Sequence, residues 1–232
     1  MIDISKWDFV YKRDYWGEGL ATTNMLYTPV INPDLDVMCM IWDENHPYQQ
    51  DNKNISKKLV DFFFQRELEH LKLFQGRPWC PKLIDVDIDN RRIFIEYNKE
   101  SINHIVMDPE RDLNAECSDW KDQIYNIVSD IYDSGYYKVA LYPHCFFIDK
   151  NNKIKTFDYY SCVSRKERYL DRADLEGMIG NHSTDRFNMS TVDGKIDFEI
   201  FFKLTMSSFL DVTWKDNPFP DFYQKLTSQN HR

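Results

Sequence analysis

The sequence predicts an α+β fold, with strands and one helix in its first part and mainly helix in its second. Three observations carry this expectation. The short apolar run LDVMCMIWD, Leu35 to Asp43, is bounded by Pro33 and by Asn45 to Pro47, and reads as a buried strand. Residues 56–74, SKKLVDFFFQRELEHLKLF, place Leu59, Phe62, Phe63, Leu71 and Phe74 near helical spacing behind a Ser56 cap. Residues 118–134, SDWKDQIYNIVSDIYDS, put Trp120, Ile124, Ile127, Val128 and Ile131 on one helical stripe, with Gly135 as the stop.

The remaining elements follow in order. WDFVYKR and TNMLYTPV carry β-formers, with WGEG between them. After the helix over 56–74, GRPWCP breaks the pattern, and KLIDVDI and RRIFIEY read as two strands joined at Asp89-Asn90. SINHIV is a short helical candidate. From Gly135 to Tyr160, GYYKVALYPHCFFIDKNNKIKTFDYY reads as a helix end, a loop, a short apolar strand, a polar turn and a second strand ending in Asp158. Beyond it a polar, loop-like stretch contains a short helix at ADLEGMI. Residues 197–212 are apolar nearly all round, as a buried helix requires. The tail KDNPFPDFYQKLTSQNHR is polar and broken by prolines, and is expected to fray. The sequence has no internal repeat and no low-complexity linker.

Composition narrows the function classes. A chain of 232 residues, 42% hydrophobic and 16% aromatic, suits one domain, or one domain with two lobes, and can build a sizeable core. A net charge of −9 without clustered excess Lys and Arg argues against nucleic acid. No window approaches the roughly 20 apolar residues that span a bilayer, and the N-terminus lacks the apolar core of a signal peptide. The expectation is a cytoplasmic protein without a membrane role. Cys39, Cys80, Cys117, Cys145 and Cys162 show no CxxC spacing, so the sequence indicates neither zinc nor a disulfide framework, and buried free thiols are expected.

The order of these segments, over roughly residues 10–212, resembles the protein-kinase-like fold, including its aminoglycoside- and lipid-kinase relatives. QRELEHL resembles the small-lobe helix whose Glu faces the nucleotide, with Glu67 in that place. RPWCPKLIDV resembles the linker and strand that follow, and FIEYNKESINHI the strand, hinge and first large-lobe helix, with the hinge at Glu96, Tyr97 and Asn98. DSGYYKVALYPHCFFID resembles the catalytic loop and IKTFDYY the metal-binding strand. Positions 140, 145 and 158 reproduce the family's intervals between catalytic Asp, Asn and metal Asp. The resemblance implies a small antiparallel-sheet lobe with one helix over 1–98 and a mainly helical large lobe over 99–232. It also implies five antiparallel strands before residue 100.

The polar residues depart from that pattern. The catalytic Asp position is Ala140, which can neither orient nor deprotonate a nucleophile. The Asn position is Cys145, a soft ligand unsuited to Mg²⁺. Met38, Cys39 and Met40 occupy the strand expected to carry the small-lobe Lys, and only Gly17 and Gly19 stand for the Gly-rich phosphate loop. Asp158 is the candidate metal ligand, and Lys138 and His144 are candidate substitutes for the missing base or phosphate contacts. His144 and Cys145, if extended, point to opposite faces and make a poor dyad. The basic run SRKER at 164–168 reads as a solvated loop or a contact for an acidic partner. The leading expectation is therefore a pseudokinase that binds an unidentified protein or small molecule, with ATP and Mg²⁺ as candidate ligands. A divergent ATP-dependent phosphotransferase using Asp158 is the alternative, and an unrelated α+β binding domain the second.

Overall fold

The computed structural model describes residues 4, 27–32, 34–42, 57–97, 100–171, 184–208 and 221–228, and every structural statement below refers to these. The first part is built on an antiparallel sheet. Strands β1 (Thr28–Asn32), β2 (Val37–Ile41), β3 (Leu83–Asp87) and β4 (Arg92–Glu96) lie in the order β1-β2-β4-β3. The apolar run of β2 is explained by burial on both faces. Met38 and Met40 enter the main core, whereas Val37 and Cys39 join Val30 and Phe94 in a separate cluster on the other face, against which Ile4 packs. These four strands precede residue 100; the candidate strand WDFVYKR lies outside the described residues.

Helix α1 (Lys57–Phe74) follows β2 and buries Val60, Phe63, Phe64, Leu68, Leu71 and Phe74 against that core. Phe62, assigned to the apolar face from its spacing, is instead 49% exposed, because its neighbours Phe63 and Phe64 fill the inward arc. The expected Ser56 cap lies outside the described residues. The β3–β4 connection is a tight turn, in which Asp87 accepts from the Asn90 backbone at 3.1 Å and from its side chain at 2.8 Å.

The chain then forms β5 (Glu100–Ser101), α2 (Ile102–Met107), α3 (Leu113–Glu116) and α4 (Trp120–Asp133). Ser101 caps α2 by accepting from Asn103 N at 3.2 Å. Ser101→Ala is expected to cost about 1 kcal/mol of stability, read as a lower midpoint in urea unfolding. On α4 the five stripe residues are all buried, and Gly135 ends the helix at φ 91°.

Strand β6 (Tyr136–Lys138) pairs with β9 (Cys162–Ser164), and β7 (Phe146–Ile148) with β8 (Ile154–Thr156) and β5. The β7–β8 turn is closed by Asp149, which accepts from Asn151 N at 2.8 Å and Lys153 N at 2.9 Å. The stretch after Asp158, expected to be loop-like, contains β9 and β10 (Tyr169–Leu170). β10 pairs with β12 (Lys195–Asp197), which also pairs with β11 (Thr191–Val192). These strands are two or three residues long, too short to show a period in the sequence. ADLEGMI lies outside the described residues.

Three helices complete the second part: α5 (Thr184–Ser190), α6 (Phe198–Ser208) and α7 (Phe222–Ser228). Phe198, Phe201, Phe202 and Met206 of α6 are buried, but Glu199, Ile200 and Lys203 are exposed, so the helix expected to be buried all round presents one face to solvent. Helix α7 orders part of the tail, with Phe222 and Leu226 buried and Phe222 packed on Tyr125 at 5.0 Å between ring centroids; the tail's end, expected to fray, lies outside the described residues. Two apolar anchors one turn apart outweigh the polar composition around them. The fold is thus mixed α+β, with several small antiparallel sheets among helices. No helix among the described residues is long and apolar enough to cross a membrane.

Candidate functional site around Asp158

Asp158 ends the segment after β8 in the left-handed conformation, φ 63° and ψ 45°, a region that Asp tolerates better than most residues. A 3₁₀ turn, Tyr159–Ser161, follows. Three groups gather on the Asp158 carbonyl: Ser161 Oγ at 2.7 Å, Lys138 Nζ at 3.1 Å and Ser161 N at 3.3 Å. Lys138 Nζ also donates to Phe157 O at 2.6 Å. Lys138 is fully buried, and its ammonium is directed to main-chain oxygens and lies 5.5 Å from the Tyr159 ring centroid.

The Asp158 carboxylate faces inward and is 3% exposed. The Tyr27 hydroxyl donates to its Oδ1, and the Cys145 thiol also hydrogen-bonds to the carboxylate. The Tyr27 ring packs on Trp42 in a tilted arrangement with centroids 4.9 Å apart, and Trp42 meets Tyr160 edge-on at 5.5 Å. Burial raises the Asp158 pKa above the usual carboxylate value, opposed by Lys138 and by the two hydrogen bonds.

Helix α1 is clamped to the same segment. Glu67 is fully buried, and its Oε2 accepts from Tyr160 N at 2.6 Å. Its other oxygen, Oε1, has no hydrogen-bond partner. Burial, then the Asp158 charge, push the Glu67 carboxyl up to about 8. The residue before it, Arg66, donates to Tyr160 O at 2.9 Å and to Cys162 O. Sequence reasoning named Glu67 but missed Arg66, Tyr27 and Trp42, which have no local signal beyond residue type.

The loop residues meet the same centre from below. Ala140 is buried, and its N–H donates to Ser161 Oγ at 3.3 Å. Pro143–Cys145 is a 3₁₀ turn. Its roughly 120° rotation per residue replaces the 180° of an extended chain, so His144 and Cys145 do not point to opposite faces. One ligand atom from each of His144, Cys145 and Asp158 lies within 4.8 Å of the others. His144 stacks on Tyr142 at 5.2 Å and keeps part of its surface exposed. Even so, the surrounding protein, and then Lys138, push its pKa down to about 3.

The other candidate residues lie elsewhere. Glu96 pairs with Lys155 Nζ at 2.8 Å, and Tyr97 is buried against Phe147 with its N–H on Asp36 O at 2.8 Å. Asn98, Gly17 and Gly19 lie outside the described residues. In the basic run, Arg165 sits over the Tyr132 ring at 3.9 Å and Arg168 pairs with Asp197 at 3.0 Å, so two of its three exposed cations are held within the chain. All five cysteines are buried free thiols, as expected.

No family model matches the chain, and no curated protein matches it. Among solved structures, it is similar to a crystal structure of WbdD (TM-score 0.48, 7% identity) and to monomeric WbdD (0.49, 9%). A third is the co-crystal structure of WbdD with the kinase inhibitor LY294002 (0.47, 10%). Each alignment covers 89% of this chain but 49%, 45% and 44% of the respective WbdD chains, so this chain spans less than half their length.

Proposed function

We propose that this chain is a two-lobed kinase-like domain with a disabled phosphoryl-transfer centre, a pseudokinase that acts by binding a small ligand or a protein partner. The reading is supported by Glu67 of α1 and Asp158 after the β7–β8 hairpin, which lie in one buried cluster. The observation that carries the functional reading is the state of Asp158. Its carboxylate is buried and hydrogen-bonded to Tyr27 and Cys145, while Ala140 supplies no group to activate a nucleophile.

The donor set does not fit Mg²⁺, which requires an octahedron of oxygens. Cys145 contributes sulfur and His144 nitrogen in its place. Nor is there a phosphate-binding cation on β2, where Met38, Cys39 and Met40 are all fully buried. Among the substitutes, a His with its pKa near 3 is a poor base at neutral pH. Lys138 serves the Phe157 and Asp158 carbonyls. The proximity of Glu67 to Asp158 favours the divergent phosphotransferase as the second reading.

A thermal-shift titration with ATP, GTP and ADP, each with and without Mg²⁺, separates the two. The expected result is no Mg²⁺-dependent shift. Saturating binding at a hundredfold excess over Kd would stabilise the protein by about 2.7 kcal/mol. A Mg²⁺-dependent shift of that size, lost in Asp158→Ala, would overturn the pseudokinase reading and restore the phosphotransferase.

A further inference from the structure

We propose that His144, Cys145 and Asp158 form a binding site for a divalent transition metal of the zinc class. The inference does not depend on the pseudokinase reading, since it concerns which metal these residues can hold rather than whether a nucleotide binds. Imidazole nitrogen, thiolate sulfur and carboxylate oxygen are the three donor types zinc accepts in a tetrahedral shell. Here one atom of each lies within 4.8 Å of the other two. Zinc–ligand bonds of 2.0–2.3 Å set tetrahedral edges of roughly 3.3–3.8 Å. A contraction of about 1 Å closes the set around an ion.

The backbone that carries these donors is already held. Cys145 N donates to Tyr142 O at 2.9 Å, and Thr156 Oγ1 donates to Cys145 O at 2.8 Å. The Asp158 main chain is fixed by Lys138 and Ser161. Tyr27 holds Asp158 Oδ1, which leaves Oδ2 as the coordinating oxygen and makes Tyr27 the outer partner that orients it. On binding, the Cys145 thiol gives its proton to solvent and coordinates as thiolate. A water would complete the tetrahedral shell as the fourth ligand.

Asp158 lies in a buried cluster with Glu67, whose Oε1 has no hydrogen-bond partner. Lys138 opposes metal entry by repulsion, but its ammonium is directed to main-chain oxygens rather than to the carboxylates.

The test uses the full chain, reduced and stripped with a chelator, titrated with Co²⁺ alone and Zn²⁺ alone. Co²⁺ is expected to bind at about one equivalent, giving a near-UV sulfur-to-cobalt charge-transfer band and the visible bands of tetrahedral Co²⁺, both removed by Zn²⁺. Cys145→Ser should lose the near-UV band, and His144→Ala and Asp158→Asn should weaken Zn²⁺ binding at least about tenfold. Cys117→Ser should change nothing. No charge-transfer band in the unmodified chain overturns the proposal, as does a band that survives Cys145→Ser. His144 is partly exposed, so His144→Ala keeps the test decisive if an Asp158 variant fails to fold, as checked by circular dichroism; unweakened Zn²⁺ binding in it also overturns the site. A Mg²⁺-dependent ATP shift would overturn the pseudokinase reading while leaving the cobalt result to stand or fall alone.

Discussion

Lys138→Met is expected to lower the unfolding free energy by about 3–5 kcal/mol, the usual cost of removing one partner from a buried charge cluster. The substitution preserves most of the side-chain volume, so the loss reports the ammonium rather than a cavity. Lys138 is fully buried and donates to Phe157 O at 2.6 Å and Asp158 O at 3.1 Å. It also provides the positive charge that opposes the raised pKa values of Glu67 and Asp158. Without it, two main-chain oxygens lose a donor and two buried acids lose a cation. Urea unfolding at pH 7 should show a lower midpoint with an unchanged slope. Lys155→Met is the control: its pair with Glu96 keeps part of its surface in water, the side chains being 12% and 29% exposed, and should contribute about 1 kcal/mol. If both variants unfold alike, the buried cluster is not what holds this centre together.

Stability is expected to fall as pH rises from 6.5 to 8, and Glu67 is the reason. Its carboxyl moves from an ordinary 4.5 to about 8 on folding, through burial and then the neighbouring Asp158 charge. The folded state therefore holds a proton that the unfolded chain releases. That stabilisation is complete below about pH 4.5 and is lost as pH climbs through 8. His70 and His144 act with the opposite sign, because burial lowers them to about 4 and about 3. Their contribution is complete above pH 6.5 and lost as pH falls through those values. Across 6.5 to 8 the histidines change by about half a proton or less each in the unfolded chain, so the slope is carried by the raised buried acids, Glu67 first, with Asp158 acting in the same direction. One proton corresponds to about 1.4 kcal/mol per pH unit, or about 2 kcal/mol across the interval. Glu67→Gln should flatten the profile there. A flat profile in the unmodified chain would show that Glu67 ionises normally, with its charge neutralised in place.

Much of this arrangement is legible in the sequence because its signals are local. Helices α1 and α4 follow from apolar spacing, and the burial of Trp120, Ile124, Ile127, Val128 and Ile131 bears this out. The β7–β8 hairpin follows from a polar turn between two short apolar runs, which Asp149 closes through its own side chain. The intervals among positions 140, 145 and 158 are legible in the sequence, whereas the hydrogen bond from Tyr160 N to Glu67 beside Asp158 is not recorded in them.

What the tertiary structure alone decided is how those residues face one another. A three-residue strand such as Tyr136–Lys138 has no period, so nothing local says that its lysine is buried; pairing with Cys162–Ser164 does. Arg66, Tyr27 and Trp42 reach Asp158 or its flanking turn from distant elements, and no spacing records that approach. His144 and Cys145 converge on Asp158 only because Pro143–Cys145 winds as a 3₁₀ turn instead of running extended. Residue identity determined which groups each position can offer, since Ala140 has no carboxylate in any fold. Through-space packing decided how those groups meet, because desolvation, charge coupling and ligand geometry depend on distances that sequence order does not contain.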